Sequence, residues 1–164
     1  MKVKDILTID LGEDIKNVID LEDVSEKEIK NEIESYIVTD GLAKDYSDFV
    51  SIYTSNISET GVWISGFYGS GKSYFGKLLG YMISNRSIMG TPARDRILQR
   101  FVGIQDEALV KNTLSRLETT PSRVIFLDIA KQDTSKGFAF ALFRNFLRSL
   151  ELPENEHGYF LYQL

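Results

Sequence analysis

One glycine-rich stretch, residues 66–73, constrains this chain more than any other. It reads Gly-Phe-Tyr-Gly-Ser-Gly-Lys-Ser and fits the pattern G-x-x-x-x-G-K-[ST] at every fixed position. That pattern is informative only where a strand enters it and a helix leaves it. Residues 61–65 are an apolar, β-rich run typical of a buried strand. After the loop, apolar residues recur at the spacing of an amphipathic helix: Phe75, Leu78, Leu79, Met82 and Ile83.

The composition of the loop suits a polyphosphate ligand. Gly66, Gly69 and Gly71 let the backbone take positive φ angles and approach a ligand closely, so that successive N–H groups can converge on an anion. The helix that begins near Gly71 adds the positive end of its dipole. We therefore expect ATP as the bound cofactor. Its phosphates would lie on Gly66, Phe67, Tyr68, Gly69, Ser70, Gly71, Lys72 and Ser73.

Two side chains of the loop have a defined chemistry in this pattern. Lys72 would reach the β- and γ-phosphates and is the candidate catalytic residue. The Ser73 hydroxyl would bind the Mg²⁺ ion that accompanies the nucleotide. The alternative is a glycine-rich turn that precedes Lys-Ser by chance, and the strand and helix patterns on either side argue against it.

Length and composition exclude several classes of protein. The chain has 164 residues, 43% apolar and 26% charged, which is the make-up of one soluble globular domain. It has no cysteine, which excludes a disulfide framework and thiolate zinc sites and agrees with a cytoplasmic location. No window approaches the roughly 18 apolar residues of a membrane span. The first residues lack the apolar core of a secretory signal.

The basic residues do not predict a nucleic-acid surface. Net charge is −5, and the largest local excess of basic residues is Arg94, Arg96 and Arg100. We interpret these arginines as a solvated helical face, because nucleic-acid binding needs denser clustering. His157 stands alone and is interpreted as a surface residue.

Two regions are expected along the chain: an N-terminal arm and helical segment over residues 1–58, and the nucleotide-binding region over residues 59–164. Ser25 and Glu28 form a capping-box pattern that predicts a helix ending near Asp40 and Gly41. A second helix carries an apolar stripe of Leu42, Tyr46, Phe49, Val50 and Tyr53. Further helices are predicted over 92–101, 105–117 and 138–150, the last with Phe138, Leu142, Phe146, Leu147 and Leu150 inside.

A second apolar run, residues 123–129, predicts another strand and ends in an aspartate. Four apolar residues followed by Asp128 resemble a Walker B strand, in which the aspartate holds Mg²⁺ through water. The second acid of that motif is missing, because Ile129, Ala130 and Lys131 follow. An aspartate that caps the next turn explains the same residues and is the favoured alternative.

Together these elements predict an α/β fold, a P-loop NTPase with a parallel sheet flanked by helices and preceded by a helical N-terminal segment. Such a sheet needs several parallel strands with helices on both faces. The sequence contains only two confident strands. We therefore expect the chain to be the incomplete front portion of a longer protein.

Residues 61–75 resemble the nucleotide site of the large P-loop ATPases of bacterial BREX phage-defence systems. In that family a Val-Trp-Ile-Ser-Gly-Phe run leads into Gly-Ser-Gly-Lys-Ser, as it does here. Residues 3–7 and 37–40 resemble other family segments, so the resemblance covers about residues 1 to 85. Tyr74 departs from it, since the family commonly has histidine there. Residues 127–131 more loosely resemble the family's second strand, which weakens a metal role for Asp128.

The resemblance implies an AAA-like ATPase module that works in a multi-protein anti-phage complex. Its partners would be other defence proteins, with DNA reached only through the full complex, and a homo-oligomer is possible. Hydrolysis would need a catalytic acid from later segments or a neighbouring subunit. By fold analogy, the adenine would lie near Val18 and Ile19. The alternative function is a nucleotide-dependent binding or scaffold module without hydrolysis of its own. A small-molecule phosphotransferase is less favoured, because no basic lid follows the loop.

Overall fold

The structure of the chain is a computed structural model, and it describes residues 25–55 and 61–153. These residues form six α-helices, one short hairpin and two 3₁₀ turns. The helices are α1 (Glu26–Ser35), α2 (Asp40–Tyr53), α3 (Lys72–Ser84), α4 (Ala93–Leu98), α5 (Glu107–Ser115) and α6 (Phe138–Ser149). The hairpin pairs β1 (Ser87–Ile88) with β2 (Thr91–Pro92), and the 3₁₀ turns are Arg116–Thr119 and Ile129–Lys131.

The ends of α1 and α2 are set by side-chain caps. Ser25 Oγ accepts from Glu28 N at 3.3 Å while the Glu28 carboxylate accepts from Ser25 N at 3.1 Å, so the predicted capping box is confirmed. The predicted stop at Asp40 and Gly41 is wrong. Thr39 Oγ1 accepts from Leu42 N at 3.3 Å and makes Asp40 the first residue of α2.

Helices α1 to α5 share one apolar core, with Tyr46 of α2 near its middle. The Tyr46 ring stacks on Phe75 with centroids 4.2 Å apart and meets Phe101 edge-on at 5.6 Å. Its hydroxyl donates to the Phe75 carbonyl at 3.2 Å. Burial raises the pKa of Tyr46 far above its ordinary value. Fully buried neighbours are Ile29, Ile33, Val50, Met82, Ile88 and Leu114.

The predicted parallel sheet is wrong for the described part of the chain, which is mainly helical. Its one sheet is the antiparallel hairpin, with Ser87 opposite Pro92 and Ile88 opposite Thr91. Neither predicted strand, 61–65 or 123–129, has strand structure. A strand exists only where a neighbouring strand takes up its N–H and C=O groups, and β-propensity does not supply that neighbour.

Both segments instead lie against α3, on its glycine-bearing face. Ile64 Cδ1 lies 3.8 Å from the position a Cβ atom would take on Gly76. One turn further along, the Phe126 ring would come within 2.5 Å of a Cβ atom on Gly80. The same ring meets Tyr81 edge-on, with centroids 5.3 Å apart. Apolar packing against this helix accounts for the half-buried run at 124–128, whereas residues 61–65 stay exposed and touch the helix through Ile64.

Helix α6 is confirmed, and Leu147 is buried as expected, but three other residues of its apolar stripe were wrongly expected to be inside. Phe138, Leu142 and Phe146 are 57%, 43% and 41% exposed, whereas Ala141 and Asn145 are buried. Apolar spacing identifies residues that share a helix face and does not show what covers that face. Within residues 25–55 and 61–153, no helix is long and apolar enough to cross a membrane.

Candidate functional site

The glycine-rich loop leads directly into α3. Ser70 N donates to the Phe67 carbonyl at 3.2 Å and closes a turn. Gly69 and Gly71 have φ angles of 77° and 82°, in the left-handed region where a residue with a side chain is strained. Helix α3 starts at Lys72, with Gly71 as its N-cap. The predicted loop and the helix that leaves it are confirmed, whereas the strand expected to enter it is not formed.

The Lys72 side chain turns back over its own loop. Its Nζ donates to the carbonyl oxygens of Gly66 at 2.9 Å and Phe67 at 2.7 Å. A Cβ atom on Gly66 would lie 2.7 Å from Ser70 Oγ, so a larger residue there would require the exposed Ser70 side chain to rotate away. An ammonium group has three N–H donors, so these two bonds leave one for a further acceptor.

The first turn of α3 offers main-chain donors beside this ammonium. Phe75 N donates to the Gly71 carbonyl at 2.9 Å, which is the first hydrogen bond of the helix. The N–H groups of Lys72, Ser73 and Tyr74 precede it and have no acceptor within the helix. Ser73 is exposed at this turn. The helix dipole adds partial positive charge at the same place, so the turn attracts an anion.

Helix α3 is held against α1 just after the loop. Tyr74 stacks on Tyr36 with centroids 5.1 Å apart and planes 4° from parallel. Its hydroxyl contacts Ser35 Oγ at 3.2 Å and donates to the Glu32 carbonyl. Burial raises the pKa of both tyrosines, which keeps them neutral. One turn later, buried Lys77 pairs with Glu32 at 2.8 Å. These contacts fix the orientation of α3, and with it that of the loop, relative to α1.

A cleft of about 990 Å³ lies between the loop and α2. The predicted site residues that line it are Gly66, Phe67, Ser70, Gly71 and Lys72, while Tyr68, Gly69 and Ser73 lie outside its lining. Helix α2 contributes Leu42, Asp45, Asp48, Phe49, Ile52 and Tyr53. The segment before the loop adds Trp63, whose side chain is 90% exposed. Along α2 the cleft is therefore lined by apolar and aromatic side chains and by two aspartates, and it carries the lysine at its loop end.

Asp128 caps a turn. Its Oδ1 accepts from Ala130 N at 3.0 Å, at the start of the 3₁₀ turn that follows. The capping alternative is confirmed, although no strand precedes it. Over the ranges with defined structure, no group of three or more aspartate, glutamate or histidine side chains is placed to hold a metal ion.

The arginines at 94, 96 and 100 stabilise the fold. Arg94 is only 5% exposed, and its Nε and Nη2 donate to the Met82 carbonyl at 3.2 and 3.1 Å. Arg96 and Arg100 also donate to main-chain carbonyls, at 3.2 and 3.0 Å. The solvated-face interpretation is therefore wrong for Arg94. A guanidinium bound to carbonyls at the end of a helix satisfies acceptors that the helix itself leaves open.

Several predictions concern residues outside the described ranges. They are the N-terminal arm with Val18 and Ile19, and the solitary His157. They stay predictions.

The cleft face of α2 was missed in the sequence. Leu42, Phe49 and Tyr53 were assigned to one stripe with Tyr46 and Val50. In the structure Tyr46 and Val50 are buried and Phe49 and Tyr53 pack against the core, but Leu42, Phe49 and Tyr53 also line the cleft. The apolar stripe of α2 is wider than packing against the core alone needs, and this width was the sequence signal for a second apolar surface on the helix.

Comparison with known proteins assigns no family. No protein-family model matches the chain, and no solved structure matches it. The function is therefore inferred from the loop, the helix that follows it and the cleft beside them.

Proposed function

We propose that this chain binds ATP with Mg²⁺ through residues 66–73. The observation that carries the proposal is the position of Lys72. Its ammonium stands over the loop, 2.7 and 2.9 Å from two loop carbonyls, at the first turn of a helix entered through two positive-φ glycines. An ammonium, open main-chain N–H groups and a helix N-terminus attract the same kind of ligand, a polyphosphate.

The residues present fit Mg·ATP. The loop and first turn, residues 66–73, contain no carboxylate that would repel a phosphate. Lys72 has a third donor for a phosphate oxygen, and the exposed Ser73 hydroxyl is a ligand of the type that Mg²⁺ uses together with phosphate oxygens and water. Lys72 would then stabilise charge on the phosphates.

The resemblance of residues 61–75 to defence ATPases supports an extension of this proposal, namely that the bound ATP is hydrolysed when the site is part of a longer protein. In that proposal the nucleotide site works within an anti-phage complex, with possible self-association and with water activated by a group outside this loop. The second candidate is a nucleotide-dependent binding module. It is favoured by one observation: Asp128, the residue considered for a metal, caps a turn.

Calorimetric titration of the purified chain with Mg·ATP tests the binding proposal. We expect saturable binding that Lys72→Ala weakens at least about tenfold, since a charge-assisted hydrogen bond to phosphate is worth about 1.5–3 kcal/mol. Lys27→Ala is the matched control, because Lys27 is an exposed lysine on α1 outside the cleft. Ser73→Ala should weaken binding in Mg²⁺ but not in EDTA.

Two outcomes would contradict these expectations. Absence of binding, or equal weakening by Lys72→Ala and Lys27→Ala, would leave the loop as a glycine-rich turn without a phosphate role. Single-turnover hydrolysis separates the two candidate functions: turnover that Lys72→Ala abolishes supports an ATPase, and binding without turnover supports the binding module for this chain.

A further inference from the structure

Helix α2 presents two different faces. Ala43, Tyr46 and Val50 are buried in the core. Leu42 and Phe49 line the cleft from another face of the same helix. Phe49 also packs against the core, so its ring is held in place at the wall of the cleft.

The cleft side of α2 offers aromatic surface next to the phosphate loop. Phe49 and Tyr53 lie nearly parallel, with ring centroids 5.6 Å apart and planes 16° apart. Trp63, the single tryptophan of the chain, lines the cleft from the segment before the loop. Aromatic side chains of this kind bind flat heterocycles by stacking. A volume of about 990 Å³ is within the range of small-molecule sites.

The charges in the cleft are separated. Lys72 lies at the loop end, while Asp45 and Asp48 lie on α2. Ionised carboxylates only accept hydrogen bonds, so the part of a ligand beside them must carry donors such as hydroxyl or amino groups. They also repel phosphate, so a polyphosphate chain cannot lie along α2. A ligand that satisfies both ends is anionic at one end and carries an aromatic ring and donors at the other.

We infer that the cleft between α2 and the loop binds the base and ribose of a nucleoside triphosphate. The base lies against the aromatic side chains, and Asp45 and Asp48 accept from its amino group or from the ribose hydroxyls. This inference rests on the proposed phosphate site. It assigns the nucleoside to described residues on α2, and it makes the ligand a nucleotide and not a bare polyphosphate.

The test compares Mg·ATP with Mg·tripolyphosphate, which has the charged chain without base or ribose. Dissociation constants are measured by calorimetry, with Trp63 emission as a second readout. We expect the chain to bind ATP at least about tenfold more tightly than tripolyphosphate, as stacking and hydrogen bonds to the nucleoside require. Only ATP should shift the Trp63 emission, because only ATP brings a base to that side chain.

Variants on α2 sharpen the test. Asp48→Asn and Asp45→Asn remove repulsion, so tripolyphosphate should bind equally well or better, while the preference for ATP should fall by about three- to tenfold. Phe49→Leu should lower that preference without changing tripolyphosphate binding. Glu118→Gln removes an exposed carboxylate outside the cleft and should change neither. Asp45→Asn and Asp48→Asn keep the size of the side chain at exposed positions, so these variants should fold normally. They therefore test the inference even if Phe49→Leu misfolds.

The outcomes separate failure of this inference from failure of the phosphate site. Lys72-dependent binding of both ligands with equal affinity overturns the nucleoside assignment and leaves the phosphate site standing. A wild-type preference for ATP that neither aspartate nor Phe49 alters places the base elsewhere and also overturns it. Binding of neither ligand overturns both proposals.

Discussion

Two glycines on one face of α3 provide a direct test of how the two apolar segments pack. Gly76 and Gly80 are one turn apart in the same helix, so alanine at either position gains about 1 kcal/mol of helix propensity. Their surroundings differ. An alanine Cβ at 76 would lie 3.8 Å from Ile64 Cδ1, an ordinary contact. At 80 it would lie 2.5 Å from Phe126 Cζ, closer than atoms can pack, and 3.1 Å from Val124 Cγ1, a tight contact.

The expected free energies follow from these distances. Gly76→Ala should stabilise the fold by about 1 kcal/mol, since nothing must move. Gly80→Ala gains the same propensity, but displacing a packed ring costs about 1–3 kcal/mol, so the net effect is between neutral and about 2 kcal/mol destabilising. The two variants should therefore differ by about 1–3 kcal/mol in the free energy of unfolding. In melting temperature, each 1 kcal/mol corresponds to about 2–4 °C for a chain of this size.

Urea unfolding followed by far-UV circular dichroism measures both variants, and Phe126→Leu completes a double-mutant cycle with Gly80→Ala. A smaller side chain at 126 makes room for the new methyl group. The cycle should therefore give a favourable coupling of about 1 kcal/mol. If Gly80→Ala stabilises as much as Gly76→Ala, and the coupling is zero, Phe126 does not lie on α3 and the placement of residues 123–128 is wrong.

Two further predictions concern buried polar groups. Glu32→Ala should cost about 3 kcal/mol in urea unfolding, because it removes the carboxylate 2.8 Å from the Lys77 ammonium, whose side chain is 2% exposed. Glu34→Ala, at a half-exposed carboxylate, should cost less than about 1 kcal/mol, and equal losses would contradict the buried pair. The pKa of Tyr46 is raised in the folded chain, so below about pH 10, where the unfolded phenol is also neutral, this group costs no stability. Above that pH the phenol ionises only in the unfolded chain, and the free energy of unfolding should fall by up to about 1.4 kcal/mol per pH unit from this one group. Tyr46→Phe should make the alkaline fall in unfolding free energy shallower by that slope, and an unchanged slope would contradict the assignment.

Local patterns predicted the helices well because the information that defines them is local. Ser25 and Glu28 are three residues apart, and the cap they form needs no other part of the chain. The positive φ angles of Gly69 and Gly71 are likewise a property of a short loop. The sheet depended on something that sequence patterns do not contain, namely a partner strand at hydrogen-bonding distance. Ile64 and Phe126 were correctly recognised as apolar, but their neighbour proved to be a helix.

The residues of the candidate site likewise fall into those that a local pattern predicts and those that depend on the tertiary fold. Lys72 and the glycines follow from a motif whose spacing expresses the chemistry of phosphate binding. The residues of α2 that face the loop come from more than a dozen positions earlier, and nothing in their spacing tells which of two apolar faces meets the core. The arginines show that charge alone does not predict exposure. Arg94 carries a charge, yet its guanidinium is buried against carbonyls of other elements.

Helix α3 connects the ligand groups with the core. Its first turn carries Lys72, its first and second turns are fixed to α1 through Tyr74 and Lys77, and Ile64 and Phe126 contact its glycine face. Because a helix is rigid over this length, the packing of α1 sets where the ammonium stands. Any ligand that binds only the folded loop stabilises the whole core, by about 2.7 kcal/mol at a hundred times its dissociation constant. If the proposed site binds ATP, residues that never touch a phosphate, such as Glu32, would therefore add to the affinity through the helix they hold in place.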